Sequence, residues 1–183
     1  MQASNTVFAL ALAAAVASFP AHSARPAPLL VKFDGAIGVD PLTAANGVDA
    51  LNVVRGINPG GRAWVLREFK ATIRTDGSIV ARGAGLLFAS GESIATRGPV
   101  AQVVATLACG PADATASLFT SPPAPLDEAG NFRISGALSQ DGVNAAVMPP
   151  ACANPVLLIR GFNAVTGTAG GWFAAGIPNA GND

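Results

Sequence analysis

The chain contains two tryptophans, and each follows an Arg-Gly pair and a glycine turn. An indole ring can stack on a sugar and a guanidinium can bind a carboxylate, so the combination would suit a shared binding surface. The alternative is a pair of ordinary hairpins whose tryptophans close the core, and it is favoured because the chain has few other large aromatic side chains. The candidate binding residues are Arg55, Arg62, Trp64, Arg160 and Trp172.

Histidine, a common general base and metal ligand, occurs once, at His22. It lies in residues 1–24, where the unbroken apolar run 7–17 and the small residues that follow predict a signal peptide. As a helix this run would span about 16 Å, too short for a hydrocarbon core of roughly 30 Å. Cleavage would leave 25–183 as a single secreted β domain without histidine. That excludes Ser-His-Asp, Cys-His and His-ligated metal sites, and we predict no metal and no cofactor.

A catalytic role would then have to rest on paired carboxylates, the acid and base of many hydrolases. Asp34 and Asp40 lie close in sequence, but the residues between them offer no further acidic or amide ligand, so they do not form a calcium-binding loop. No spacing selects any other pair, and no catalytic residue is assigned. The available carboxylates are Asp34, Asp40, Asp49, Glu68, Asp76, Glu92, Asp113, Asp127, Glu128 and Asp141.

The two cysteines, Cys109 and Cys152, both lie in the predicted domain. An even number of cysteines in an oxidising compartment favours a disulfide, which would remove roughly 4 kcal/mol of denatured-state entropy. A reactive thiol is the alternative, but it would need an electropositive neighbourhood or a Cys-x-x-Cys pair. Neither cysteine has one in its local sequence, so we predict a structural disulfide.

The 11 basic and 11 acidic residues balance, so the formal net charge is zero. A nucleic-acid-binding protein needs a clustered basic excess to replace counterions, so we expect no nucleic-acid partner. Glycine follows Arg55, Arg82, Arg97 and Arg160. These arginines could bind an anion such as an acidic polysaccharide. Arginine also protects exposed strand edges from pairing, and the zero net charge favours that second role.

The clearest structural signal is the turn Thr75-Asp76-Gly77-Ser78, which predicts a β-hairpin. Turn geometry therefore explains Asp76 better than catalysis does. Alternation before the turn predicts one buried and one exposed strand face, and segment 79–88 continues the pattern after it. The residues predicted on the buried face are Val65, Phe69, Ala71, Ile73, Val80, Leu86 and Phe88, and those on the exposed face are Glu68, Lys70, Thr72 and Arg74.

Seven more segments have the length and composition of short strands, and clusters of glycine, proline, asparagine and aspartate separate them. The prediction is an all-β fold of about seven to nine short antiparallel strands, arranged as a sandwich or a small barrel. Residues 40–49 could add one or two helical turns. The seven segments are 29–33, 50–55, 100–109, 115–119, 132–138, 156–162 and 171–177.

Five short segments contain turn residues, tryptophan or cysteine: 55–64, 75–78, the strand that contains Cys109, 152–156 and 172–174. In these segments the chain resembles a loose group of small exported bacterial proteins without an assigned activity. The resemblance spans 49–175. It implies a signal peptide and a disulfide-bearing β fold, and it carries over no catalytic or binding residue.

These observations together predict a secreted or periplasmic, non-enzymatic binding or structural protein. The alternatives are a carboxylate-dependent hydrolase or small barrel enzyme, and a carrier of a small hydrophobic ligand. The partner would be an extracellular protein, a glycan or a small apolar ligand. We expect no stable membrane span once the signal peptide is removed.

Overall fold

All regular secondary structure in the computed structural model, which describes residues 25–45 and 48–179, is β-strand. The predicted signal peptide, residues 1–24, lies outside these ranges. The strands are β1 (Leu29–Gly38), β2 (Leu42–Ala45), β3 (Val48–Leu51), β4 (Trp64–Val65), β5 (Glu68–Arg74), β6 (Ser78–Ala84), β7 (Leu87–Phe88), β8 (Gln102–Cys109), β9 (Ser117–Thr120), β10 (Ala124–Pro125), β11 (Phe132–Ala137), β12 (Val156–Asn163) and β13 (Thr168–Pro178).

Nine of these strands form one antiparallel sheet in the order β10-β8-β12-β13-β1-β5-β6-β11, with β9 also paired to β8. The sheet curls strongly, and isolated bridges link strands near its two ends. Leu126, next to β10, bridges Phe132 of β11, and Thr120 of β9 bridges Ser139 just beyond β11. The all-β prediction is confirmed, and the sheet forms a half-barrel. Two small sheets, β2-β3 and β4-β7, flank it.

The core lies on the inner face of the curled sheet. In the β5–β6 hairpin the buried side chains are Phe69, Ala71 and Ile73 on one strand and Ile79 and Ala81 on the other. Every second residue therefore points inward, and the residues between them point outward. This alternation determines which side chains can form a surface site.

Two residues predicted for the buried face point outward instead. Val65 is 48% exposed because the strand breaks between β4 and β5, where Leu66 turns inward in its place. Val80 is 42% exposed because its neighbours Ile79 and Ala81 fill the inner face. Gly85, with a φ of 72°, then resets the alternation, and Leu86 and Phe88 point inward as predicted.

The segment around residues 40–49 also differs from the prediction. In place of helical turns, β2 and β3 pair as a hairpin that sets Leu42 opposite Leu51, while residues 46–47 lie outside the described ranges. One or two helical turns bear the full cost of nucleation, whereas strand pairing satisfies the same backbone groups. The strand predicted at 50–55 is correspondingly short, since β3 ends at Leu51.

Candidate functional site

The disulfide between Cys109 and Cys152 is formed, as predicted. Arg55 lies beside it with only 8% of its surface exposed, at the tip of a tight turn between Val54 and Ile57. Its guanidinium donates to the carbonyls of Asn154, at 2.7 Å, and Gly110, at 3.5 Å. Arg55 therefore ties this turn to the two chain segments that the disulfide joins.

The guanidinium of Arg160 is also engaged in hydrogen bonds with neighbouring protein groups. It donates to the Gly170 carbonyl at 2.8 Å, to the Ala169 carbonyl at 3.0 Å and to the Thr106 hydroxyl at 3.3 Å. Burial lowers the pKa of this guanidinium from its ordinary value. These hydrogen bonds stabilise the β12–β13 hairpin and leave few N–H donors of the guanidinium for a ligand.

The two Arg-Gly and tryptophan segments meet inside the molecule. The amide of Trp172 donates to the Asn58 carbonyl at 3.0 Å, and the amide of Gly60 donates to the Trp172 carbonyl at 2.8 Å. Trp64 stacks on Phe173 with ring centroids 4.2 Å apart. Trp64 and Trp172 are 3% and 4% exposed, so neither indole offers an open face for stacking.

Arg62, the fifth candidate, lies over an aromatic ring at the surface. Its guanidinium carbon is 5.3 Å from the centroid of Phe88, a cation–π geometry. A shallow cleft of about 400 Å³ lies at this point, with Arg62, Trp64, Phe88 and Phe173 among its lining residues.

Four of the carboxylates belong to turns rather than to a shared acid–base centre. Hydrogen bonds from nearby hydroxyl, amide and backbone N–H groups lower the pKa of Asp76, Asp113, Asp127 and Asp141, the last most strongly. A lowered pKa keeps these groups ionised at neutral pH, the opposite of what a general acid needs. Over residues 25–45 and 48–179 no group of three His, Cys, Asp or Glu side chains could hold a metal ion.

Charge is concentrated on the outer face of β1, β5, β6 and β11. Six of the 11 basic residues lie on or beside it, together with two acids, Asp34 and Glu68. Most of the remaining acids lie in turns and loops. The protein therefore has a strongly basic surface despite its zero net charge. We call this surface the cationic face, and its basic residues are Lys32, Arg67, Lys70, Arg74, Arg82 and Arg133.

Three of these cations lie directly opposite one another on adjacent strands. Lys70 of β5 pairs with Arg82 of β6, and Arg82 pairs with Arg133 of β11. Neighbouring strands lie about 4.8 Å apart, so the three form a row across the sheet. Like charges placed directly opposite destabilise a sheet, so this cationic row is an unfavourable arrangement for the fold alone.

Within residues 25–45 and 48–179, Lys70 is the only member of the cationic row with an acidic partner. Lys70 Nζ lies 3.6 Å from Asp34 Oδ2, and both side chains are more than half exposed, so this ion pair is weak. Arg82 and Arg133 are exposed and make no ion pair or side-chain hydrogen bond with any residue that the structure describes. Both guanidinium groups are available to an external anion.

The backbone beneath the row is held by an aromatic pair. Each cation has a neighbour that points inward, and these neighbours, Phe69, Gly83 and Phe132, also lie opposite one another. The two rings approach across the glycine with centroids 6.4 Å apart. The three strands are therefore packed firmly where the cations project.

A groove of about 420 Å³ runs along the same part of the surface. It lies where β1 leaves β5: β1 pairs with β5 up to Asp34 and then with β13, with a bulge between Phe33 and Ala36. The residues that line the groove are Asp34, Gly35, Arg67, Glu68, Phe69, Lys70, Arg82, Gly83 and Ala84.

Sequence reasoning placed Lys70 on an exposed face and noted Arg82 as an Arg-Gly pair, but it did not bring them together. The Asp76-Gly77 turn could have done so, because a tight turn fixes the register of the strands that it joins. Arg133 had no such local signal, since β11 is not joined to β6 by a tight turn.

The chain matches no protein-family model, no curated protein and no solved structure. Its fold and site define an all-β protein with one disulfide, a curled antiparallel sheet and a basic surface on one face of that sheet. No helix among residues 25–45 and 48–179 is long and apolar enough to cross a membrane.

Proposed function

We propose that this protein is an exported, non-enzymatic binding protein that holds an anionic polymer on its cationic face. The observation that carries the proposal is the cationic row of Lys70, Arg82 and Arg133, three like charges on adjacent strands. An arrangement that is unfavourable for folding is expected at functional positions, where binding compensates for it. An anionic ligand would relieve the repulsion by lying between the cations.

Protection of strand edges, the alternative role for these arginines, does not account for the row. β5 lies between β1 and β6, and β6 lies between β5 and β11, so Lys70 and Arg82 are on central strands. Central strands have no free edge to protect. The concentration of charge on one face, within a protein of zero net charge, supports recognition of a specific surface or polymer rather than general solubility.

The disulfide supports the exported location. Disulfides persist in oxidising compartments such as the periplasm and the extracellular space, and are rare in the cytosol. The Cys109–Cys152 bond is compatible with such a compartment. The signal peptide proposed at residues 1–24 would deliver the chain there.

The two other functions considered have less support. A carboxylate-dependent hydrolase needs a proton donor, and the pKa values of the shifted carboxylates are lowered. A carrier of an apolar ligand would have to use an open surface cleft, such as the one beside Arg62, because core side chains occupy the inner face of the sheet. Neither alternative explains the cationic row.

Binding to anionic and neutral polymers at low ionic strength tests the proposal. We expect the protein to bind sodium polygalacturonate or dextran sulfate, but not neutral dextran, and to lose affinity as salt is added. Isothermal titration calorimetry would give the affinity. If the protein binds neither of the two anionic polymers at low salt, the proposed function is wrong.

Two variants with the same net charge distinguish the contribution of the cationic face to binding from that of the overall charge of the protein. The double variant Arg82→Gln/Arg133→Gln and the single variant Arg25→Glu each make the protein more negative by two charges. Arg25 is exposed and lies outside the cationic face. We expect the double variant to weaken binding by roughly tenfold or more and Arg25→Glu to change it far less. Equal losses would contradict a site on this face.

Replacing the acid at one end of the row should act in the opposite direction. Asp34→Asn removes the carboxylate that pairs with Lys70, and therefore frees Lys70 for the ligand. We expect tighter binding of the anionic polymer in the same titration, because the asparagine amide oxygen can still accept a hydrogen bond from a ligand hydroxyl while the negative charge is removed. Glu92→Gln, an exposed loop residue, is the control of equal charge, and the proposal requires the gain with Asp34→Asn to be the larger.

A further inference from the structure

We propose that the ligand is a linear polysaccharide with carboxylated sugars, and that its chain lies across the strands along the cationic row. This inference rests on the proposed function and specifies the chemistry and direction of its ligand. Three features carry it: the direction of the groove, the mixture of charges that line it, and the spacing of the cations.

The groove gives the direction. Its lining side chains come from successive strands, with Asp34 on β1, Lys70 on β5 and Arg82 on β6. Residues 34, 70 and 82 are also register partners, so the groove crosses the strands instead of following one of them. A ligand that fills the groove and continues in the same direction reaches Arg133 on β11.

The spacing of the cations suits one negative charge on each sugar unit. Adjacent members of the row are separated by one strand spacing, about 4.8 Å. A pyranose unit in a linear chain has a similar length, so successive carboxylates can each meet a different cation. The arginine fork binds a carboxylate through two parallel hydrogen bonds, and the flexible stems of Lys70, Arg82 and Arg133 can follow the twist of the chain.

The acids in the groove select a ligand that also carries hydroxyl groups. Asp34 and Glu68 line the groove together with Arg67, Lys70 and Arg82. A carboxylate accepts hydrogen bonds from sugar hydroxyls and repels any anionic group placed beside it. A polymer with both carboxylates and hydroxyls can therefore satisfy both kinds of side chain.

The same surface is poorly suited to the other common polyanions. Single-stranded nucleic acid is usually held by aromatic side chains on which its bases stack. None of the outward residues of β1, β5, β6 and β11 is aromatic. A bilayer of anionic lipid would meet the carboxylates of Asp34 and Glu68 as well as the cations.

A transposition that conserves charge tests the row directly. In Arg82→Gln/Val80→Arg the cation moves two residues along β6 to a position that is already exposed, next to Thr72 and Ser135. The face keeps its charge but the row is broken. We expect affinity for oligogalacturonate to fall roughly 5- to 10-fold, as for loss of a charge-assisted hydrogen bond, and the unfolding midpoint to stay close to that of the parent.

Chain length provides the second measurement. Affinity should rise from mono- to trigalacturonate, which is the shortest oligomer that can meet all of Lys70, Arg82 and Arg133. Oligomers longer than the trimer should bind each protein molecule with about the same affinity as the trimer does. Lys32→Gln removes a cation of the same face that lies outside the row. We expect it to weaken binding less than Arg82→Gln does.

The outcomes distinguish the inference from the proposed function. If the transposed variant binds like the parent, or if dextran sulfate, single-stranded DNA or phosphatidylglycerol vesicles bind more tightly than polygalacturonate, the inference is wrong. In those cases the proposed function stands, as a face that binds polyanions by charge alone or recognises a different one. If no anionic polymer binds, both fail.

Discussion

Gly83 shows how closely the core and the cationic face depend on each other. A Cβ atom at this position would lie 2.2 Å from Cε1 and 2.3 Å from Cζ of Phe132. The ring is buried and packed near Phe69, so it has little room to retreat. The absence of a side chain at residue 83 is what allows β6 and β11 to pair with Arg82 and Arg133 opposite each other.

We therefore predict that Gly83→Ala destabilises the protein by about 1–3 kcal/mol, as expected for an overpacked core. Urea unfolding followed by tryptophan fluorescence would measure the change. Gly61→Ala is the control, because a Cβ there would have nothing within 4 Å. An equal effect of the two substitutions would contradict the clash with Phe132 as the cause.

Strands joined by a tight turn were the most predictable elements. The Asp76-Gly77 turn forms as expected, with the Ser78 amide donating to Asp76 Oδ1 at 2.9 Å, and the buried pattern of Phe69, Ala71 and Ile73 follows from alternation. Predictions failed where backbone irregularity shifted the phase, as at Val65 and Val80. A local pattern cannot show where a strand will break.

Pairing between distant strands could not be predicted. The sheet places β1 between β5 and β13, and β11 beside β6, through contacts between segments far apart in sequence. The two-residue strand β10 is too short to show alternation, and it lies in a region expected to be a loop. Arg133 joins the cationic row only through such pairing, so the sequence carried no signal for the complete row.

The loop that follows β11 should make the fold sensitive to acid. Asp141 accepts hydrogen bonds from the amides of Val143, at 2.9 Å, and Asn144, at 2.8 Å, which hold its pKa well below the ordinary value of 3.8. A lowered pKa in the folded state means that the stabilisation is complete above the unfolded-state pKa and is lost as the pH falls through the folded-state value.

We expect the melting temperature to fall as the pH is lowered below about 4, and the fall to be smaller in Asp141→Asn. Differential scanning calorimetry between pH 7 and pH 2 would measure both. Glu92→Gln, which removes an exposed loop carboxylate, is the control of equal charge. A fall that is unchanged in Asp141→Asn would show that other carboxylates, such as Asp76 or Asp127, are responsible.

Over the whole molecule, the disulfide and the cationic face lie on different parts of the sheet. Cys109 ends β8, and β12 and β13 separate β8 from β1. Stability and binding should therefore respond independently to changes at the two places. The buried Arg55 reinforces the disulfide end without contacting the face.

We predict that Cys109→Ser/Cys152→Ser lowers the free energy of unfolding by about 2–5 kcal/mol, since a link between residues 43 apart constrains the unfolded chain. Urea unfolding would give this value. At temperatures where the variant is folded, its affinity for polygalacturonate should equal that of the parent. A weaker affinity in the folded variant would show that the disulfide shapes the binding face.

The position of β1 has a consequence for how the chain matures. Its neighbour on one side is β5, but on the other side it is β13, the last strand of the described chain. During synthesis from the N terminus, β1 must wait for almost the whole polypeptide before this second contact can form, and such long-range pairing is slow. Until β13 arrives this side of β1 has no strand to pair with, a state that is compatible with the export proposed for the chain.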